Sequence, residues 1–130
     1  MDEGDRRALV WLQEQEQIPL MTILENGYVE MGFGVTLKVS IDNDLFQNVQ
    51  GQIDAWGIYH DDVYIIDYKT GSDQYLDKAL KQLNFYAVCL MKMNFIKSYQ
   101  KVHLAVIYPY DQNIIIKTIN SQNLEKELFI

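Results

Sequence analysis

Residues 63–69, VYIIDYK, constrain this chain more than any other stretch. Val63, Tyr64, Ile65 and Ile66 place apolar side chains on both faces of one strand, and a strand covered on both faces belongs in the middle of a sheet. Thr70-Gly71-Ser72 breaks that strand. Residues 74–94 then carry Leu76, Ala79, Leu80, Leu83, Tyr86, Ala87, Leu90 and Met91, a stripe at helical spacing. The next strand is KVHLAVIY, residues 101–108. A helix of that length between two strands permits a right-handed parallel crossover.

The flanking segments complete the pattern. Residues 6–17 (RRALVWLQEQEQ) predict a helix with Asp5 as N-cap, ended before Pro19. Residues 27–39 and 48–59, rich in β-branched and aromatic side chains, predict two strands joined through turn chemistry at Asp42-Asn43-Asp44. Pro109-Tyr110-Asp111-Gln112 predicts a turn, residues 113–118 a strand, and Ser121 the cap of a short last helix. The order is α-β-β-β-α-β-β-α. Short loops make the first three strands antiparallel, so the expected class is α/β, a mixed central sheet flanked by helices. We expect a single domain over residues 1–130, because two cores would leave about 65 residues each, near the lower limit for stability.

Composition narrows the function. The longest apolar runs are about four or five residues, whereas about 18–20 are needed to span a bilayer. One cysteine excludes an intrachain disulfide and a Cys-based zinc or iron–sulfur site. The acidic start, Met1-Asp2-Glu3-Gly4-Asp5, lacks the pattern of a signal peptide, so we expect an intracellular, reducing location. A net charge of −7 argues against a polyanionic partner, but its distribution does not. Residues 69–101 hold six lysines and two aspartates, a balance of +4, and the remainder is −11. Such a basic segment either steers a polyanion locally or is simply a solvated lysine face.

Asp54, Asp67 and Lys69 lie in strands that otherwise read as buried, where charge is costly unless paired or coordinated. Asp67 and Lys69, two apart, share one face of a strand. A hairpin centred between His60 and Asp61 pairs Tyr59 with Asp62, Ile58 with Val63 and Trp56 with Ile65. Continued, it sets Asp54 opposite Asp67 and Gln52 opposite Lys69, with opposed Cβ atoms about 4.5–5.5 Å apart. A divalent cation such as Mg²⁺ between the carboxylates would relieve their repulsion, and Lys69 would stand where it can stabilise phosphoryl charge or position an attacking water. That constellation suits metal-assisted phosphodiester hydrolysis. The alternative is a structural ion cluster at the end of the sheet.

Three motifs lie on these elements: Gly51-Gln52-Ile53-Asp54, then Ile65-Ile66-Asp67-Tyr68-Lys69-Thr70-Gly71, then Gln82-Leu83-Asn84-Phe85-Tyr86. Together they resemble the PD-(D/E)XK nuclease superfamily, most closely its RecB-type branch, over residues 27–95. The resemblance implies a restriction-endonuclease-like core with αβββαβ order. It also implies a DNA nuclease dependent on Mg²⁺ or Mn²⁺, acting on DNA ends or single strands. Asp54 and Asp67 would be metal ligands with the main-chain carbonyl of Tyr68, and Lys69 the catalytic lysine. Gln82 and Tyr86 would lie near the substrate strand, with Lys78 and Lys81 on its backbone. Family members often add an acid or histidine from the first helix. Glu16 fills that place here, with Glu14, Glu25 and Glu30 competing, none in a recognisable motif.

The resemblance further implies a minimal core of the kind a phage or mobile element carries, cytoplasmic in a prokaryotic or phage-infected cell, that grips DNA with a protein partner or as a homo-oligomer. A nicking or junction-cleaving endonuclease, and a catalytically inactive module that binds DNA or a protein, are the other readings. The remaining conspicuous residues read as structural. His60 belongs to a surface turn, His103 to the core edge, Cys89 to an apolar helix face, and Trp11 and Trp56 to the core.

Overall fold

The computed structural model describes residues 2–38, 46–71 and 75–128. Helix α1 (Glu3–Glu14) starts earlier than its apolar spacing suggests, because Asp2, not Asp5, caps it by accepting the Asp5 N–H at 2.7 Å. The Asp5 carboxylate is engaged elsewhere, accepting the Tyr110 hydroxyl at 2.6 Å. A second helix, α2 (Leu20–Asn26), follows Pro19 and buries Leu20 and Ile23. It has no counterpart in the sequence reading.

Strands β1 (Tyr28–Lys38), β2 (Phe46–Tyr59), β3 (Asp62–Tyr68), β4 (Lys101–Tyr108) and β5 (Asn113–Asn120) form one sheet in the order β1-β2-β3-β4-β5. Every neighbouring pair is antiparallel except β3 and β4, which are parallel and joined by helix α3 (Leu76–Lys92). This is the mixed α/β sheet expected. The turn expected at Asp42-Asn43-Asp44 lies outside the described residues. Ser121 does not act as a simple cap. It is buried in a 3₁₀ turn before helix α4 (Leu124–Leu128), and its hydroxyl donates to the Lys97 carbonyl at 2.6 Å. Among the described residues no helix is long and apolar enough to cross a membrane.

The sheet separates two apolar layers. On one face Val63, Ile65, Leu104 and Val106 meet Leu83, Ala87 and Leu90 of α3 and Leu124 of α4. On the other, Ile66, Ala105, Ile107 and Ile114 meet Ile18, Leu20 and Ile23. Each Val, Leu or Ile side chain among them, fully buried, contributes about 1.5–3 kcal/mol. β3 is thus buried on both faces, as its composition requires, and the charge at its end must be accommodated where the layers open.

The hairpin register is as the sequence predicts over Tyr59–Asp62, Ile58–Val63 and Trp56–Ile65, and it ends at Ala55–Ile66. The extrapolated pairs Asp54–Asp67 and Gln52–Lys69 are not part of the ladder. Strict alternation would set Ile53 and Trp56 on opposite faces. Both instead join the layer under α3, while Ala55 joins the other layer, so β2 changes phase around Asp54. β1 has its own distortion at the same level. Glu30 has a φ of 52°, a left-handed backbone, and the β1–β2 pairing passes from Val29–Ala55 to Met31–Ile53 without it.

Candidate active site

Freed from the ladder, the Asp54 carboxylate takes over the role of a main-chain acceptor: Oδ2 receives the Tyr68 N–H at 3.0 Å. The Lys69 N–H turns the other way and donates to Ile107 O on β4 at 2.8 Å. β3 therefore leaves β2 at this point while staying attached to β4, and the fork leaves Asp67 and Lys69 at the C-terminal end of the central strand.

Lys69 Nζ lies 3.0 Å from Asp67 Oδ2, with the Asp67 side chain only 16% exposed. The approach does not satisfy hydrogen-bond geometry, and Asp67 Oδ2 is buried with no hydrogen-bond partner. Burial, then the neighbouring Asp54 carboxylate, raise the Asp67 pKa, and Lys69 opposes them without prevailing. Lys69 is in turn held more firmly protonated, chiefly by Asp67, against its own partial burial. Two carboxylates that share one ammonium, with a buried oxygen left without a hydrogen bond, still carry net negative charge, and the set fits a divalent cation. Asp54 and Asp67 would hold it, with the main-chain carbonyl of Tyr68 as the further ligand that the motif implies.

Helix α3 supplies the wall beside this pair. Gln82 Nε2 donates to the Tyr86 hydroxyl oxygen at 2.9 Å, one helical turn along the same face. The Tyr86 ring stands edge-on to Phe33 of β1, with centroids 5.4 Å apart. Burial comes first and the charge of Asp67 second among the causes that raise the Tyr86 pKa, with Asp54 adding to them and the Gln82 hydrogen bond opposing. Gly51 explains itself here. A Cβ on it would come within 2.7 Å of Phe33 Cζ and 3.1 Å of Tyr86 Cε1. The glycine that opens the motif ending at Asp54 makes room for the aromatic contact that seats Tyr86.

Lys69, Tyr75, Lys78, Ala79 and Gln82 line a cavity of about 280 Å³. The structure thus brings together Asp54, Asp67, Lys69, Gln82 and Tyr86, with Lys78 on the same groove. It does not bring Lys81, which lines a separate cavity with Asp77, Asn84, Lys117 and Glu127. Consecutive helical residues are rotated by about 100°, so Lys81 and Gln82 look to different neighbours. Glu16 is exposed beyond the end of α1, and Glu14 lines a cavity with Arg6, Arg7 and Trp11. Among the described residues no third carboxylate, histidine or cysteine completes a cluster with the pair.

Of the residues read as structural, Trp11 is only partly buried, packed against the layer that holds Ile66 and Ala105. Cys89 is buried and its thiol is pushed up to about 11 by burial. Trp56 is 2% exposed and donates Nε1–H to Met31 Sδ. His60 sits in the β2–β3 turn, and His103 is held between Asp62 Oδ2 and Thr118 Oγ1, each 2.8 Å away. Two features escaped the sequence reading. One is Tyr75 at the groove, whose only signal was its place just before α3; the other is Phe33 beneath Tyr86.

The chain is an α/β protein with an acid pair and a lysine at the end of its central strand. The family model of the PD-(D/E)XK nuclease superfamily matches residues 4–126, and the chain belongs to that superfamily. The superfamily is described as one of nucleases, and its members generally use divalent metal ions. A solved structure described as "Crystal structure of SSO0001" is similar at 19% identity and a TM-score of 0.47, over 99% of this chain and 60% of that one. The chain therefore spans about three-fifths of that protein's length. No curated protein matches the chain.

Proposed function

We propose that the chain is a Mg²⁺- or Mn²⁺-dependent deoxyribonuclease that hydrolyses phosphodiester bonds at DNA ends or in single strands. The observation that carries the reading is Asp67 Oδ2, buried without a hydrogen bond, beside Asp54 and Lys69 at the mouth of a groove. When bound, a divalent cation supplies positive charge beside the scissile phosphate. Lys69, kept protonated by Asp67, donates to the phosphoryl oxygens as negative charge builds on them. Water is the nucleophile: its oxygen bonds to phosphorus, the P–O ester bond breaks, and the departing oxygen takes up a proton. Gln82 and Tyr86 position the strand, and Lys78 takes a neighbouring phosphate. The RecB-type likeness of the three motifs favours ends and single strands over a nicking or junction-cleaving mode.

The test is incubation of labelled single- and double-stranded DNA with the protein in Mg²⁺, Mn²⁺ or EDTA. Cleavage should require the metal. Lys69→Ala should lower cleavage at least about 100-fold, the scale of losing one transition-state donor, while retaining Mn²⁺ binding by calorimetry. Asp67→Ala should lose both. Absence of cleavage of any strand in either metal, or equal loss of Mn²⁺ binding in the two variants, overturns the assignment.

A further inference from the structure

We propose that Tyr75 is a stacking platform for one nucleobase beside the scissile phosphate, and that it makes the groove select strands with unpaired bases. The inference deepens the nuclease reading and rests on it for the placement of the scissile phosphate.

Tyr75 is 67% exposed and, unlike the more exposed Tyr99, it lines the same cavity as Lys69. Among the described residues its ring has no stacking partner and its hydroxyl no hydrogen bond, whereas Tyr28, Tyr64 and Tyr86 each pack against another ring. Its main chain is tied to the start of α3, so the ring is presented from a fixed base. Ala79, a small residue four positions on, lines the same cavity. The other lining groups divide the work of gripping a nucleotide. Lys69 and Lys78 offer ammoniums to phosphates, Gln82 offers an amide, and Tyr75 supplies the π-face.

That combination, cationic groups tracking a backbone beside an exposed aromatic ring, is how proteins hold single strands without reading sequence. A duplex covers both faces of each base with its neighbours, so only an unpaired or frayed base can lie on Tyr75. At about 280 Å³ the cavity is near the lower end of ligand sites, about 300–1,000 Å³, a size on the scale of one nucleotide.

The experiment measures binding and cleavage separately. Binding of a labelled single-stranded oligonucleotide and of its duplex is followed by fluorescence anisotropy in EDTA, and cleavage kinetics are followed in Mn²⁺. Tyr75→Ala should weaken single-strand binding about tenfold, Tyr75→Phe should retain it, and duplex binding should change less than about twofold. One abasic site, scanned along the strand, should cost the wild type the same factor at a single position and cost Tyr75→Ala nothing further there. The melting temperature should be unchanged, since the side chain is exposed. Unchanged single-strand binding in Tyr75→Ala, or abasic and Tyr75→Ala effects that simply add, overturns the proposal. Cleavage that persists without those effects sinks the stacking role alone. A Tyr75-dependent single-strand affinity with no cleavage sinks the nuclease reading alone.

Discussion

Asp54 Oδ2 accepts the main-chain N–H of Tyr68 at 3.0 Å, at the point where the ladder between their strands stops. A carboxylate therefore stands in for a backbone carbonyl, and the bond that ends the hairpin also fixes Asp54 beside Asp67. Structure and charge are set by the same group, and they pull in opposite directions when no cation is present.

Asp54→Asn separates the two. The amide oxygen can still accept the Tyr68 N–H, while the charge that raises the Asp67 pKa is gone. In EDTA at neutral pH the variant should melt above the wild type, by about 3–5 °C for each kcal/mol relieved. Wild type should gain stability on adding Mn²⁺, because a ligand that binds only the folded state shifts the equilibrium, and the variant should gain much less. Melting curves with and without metal decide it. A variant that melts lower and responds to metal like wild type makes Asp54 a structural partner only.

The raised Asp67 pKa also gives stability a pH dependence of known sign. The folded state holds the Asp67 proton more tightly than the unfolded chain, whose value is near 3.8. Stability from this group is present below 3.8 and is lost as pH rises through the folded value. In EDTA, denaturant titrations should show wild type losing stability relative to Asp67→Asn as pH rises from about 4 to 7. A difference that stays flat, or grows in the opposite sense, contradicts the desolvated, acid-paired setting of Asp67.

Lys78 and Lys81 should differ. Lys78 lines the groove with Lys69, and among the described residues it has no ion-pair partner. Lys78→Gln should weaken DNA binding and reduce the slope of log K against log salt by about 0.7–0.9, the loss of one phosphate contact. Lys81→Gln, on the cavity beside Lys117 and Glu127, should leave the slope nearly unchanged. Equal effects at both positions would place the strand across the outer face of α3.

Gly51→Ala should cost about 1–3 kcal/mol in urea unfolding, the range for forcing a methyl into packed surroundings, because its Cβ meets Phe33 at 2.7 Å. Gly32→Ala, whose Cβ would approach only Gly51 O at 4.0 Å, is the control and should be neutral or mildly stabilising. If both cost the same, the need for glycine at position 51 lies elsewhere than in the aromatic contact.

The sequence revealed most where a local rule governs. The two-residue turn at His60-Asp61 sets the register from Tyr59–Asp62 through Trp56–Ile65, and residues two apart on β3 place Asp67 and Lys69 together. It misled where a distortion intervenes. Counting onward from the turn pairs Asp54 with Asp67, but the phase change of β2 and the left-handed Glu30 leave no mark in the residue types, since Glu is not expected at positive φ. Helix α2 is only seven residues long, too short for its apolar spacing to stand out from a loop. The first-helix acid was sought among Glu14 and Glu16, yet α1 presents Glu14 to Arg6, Arg7 and Trp11 and ends before Glu16.

Past the distortion, β1 and β2 pair only with each other, since the pairing of β2 with β3 covers residues 55–59. A ribbon of two strands is barely stable by itself in water. This one is moored to the globule through Phe33 against Tyr86. Because Phe33 touches Tyr86, a change that loosens the ribbon at Phe33 also removes a contact that seats Tyr86 on the wall of the reaction centre.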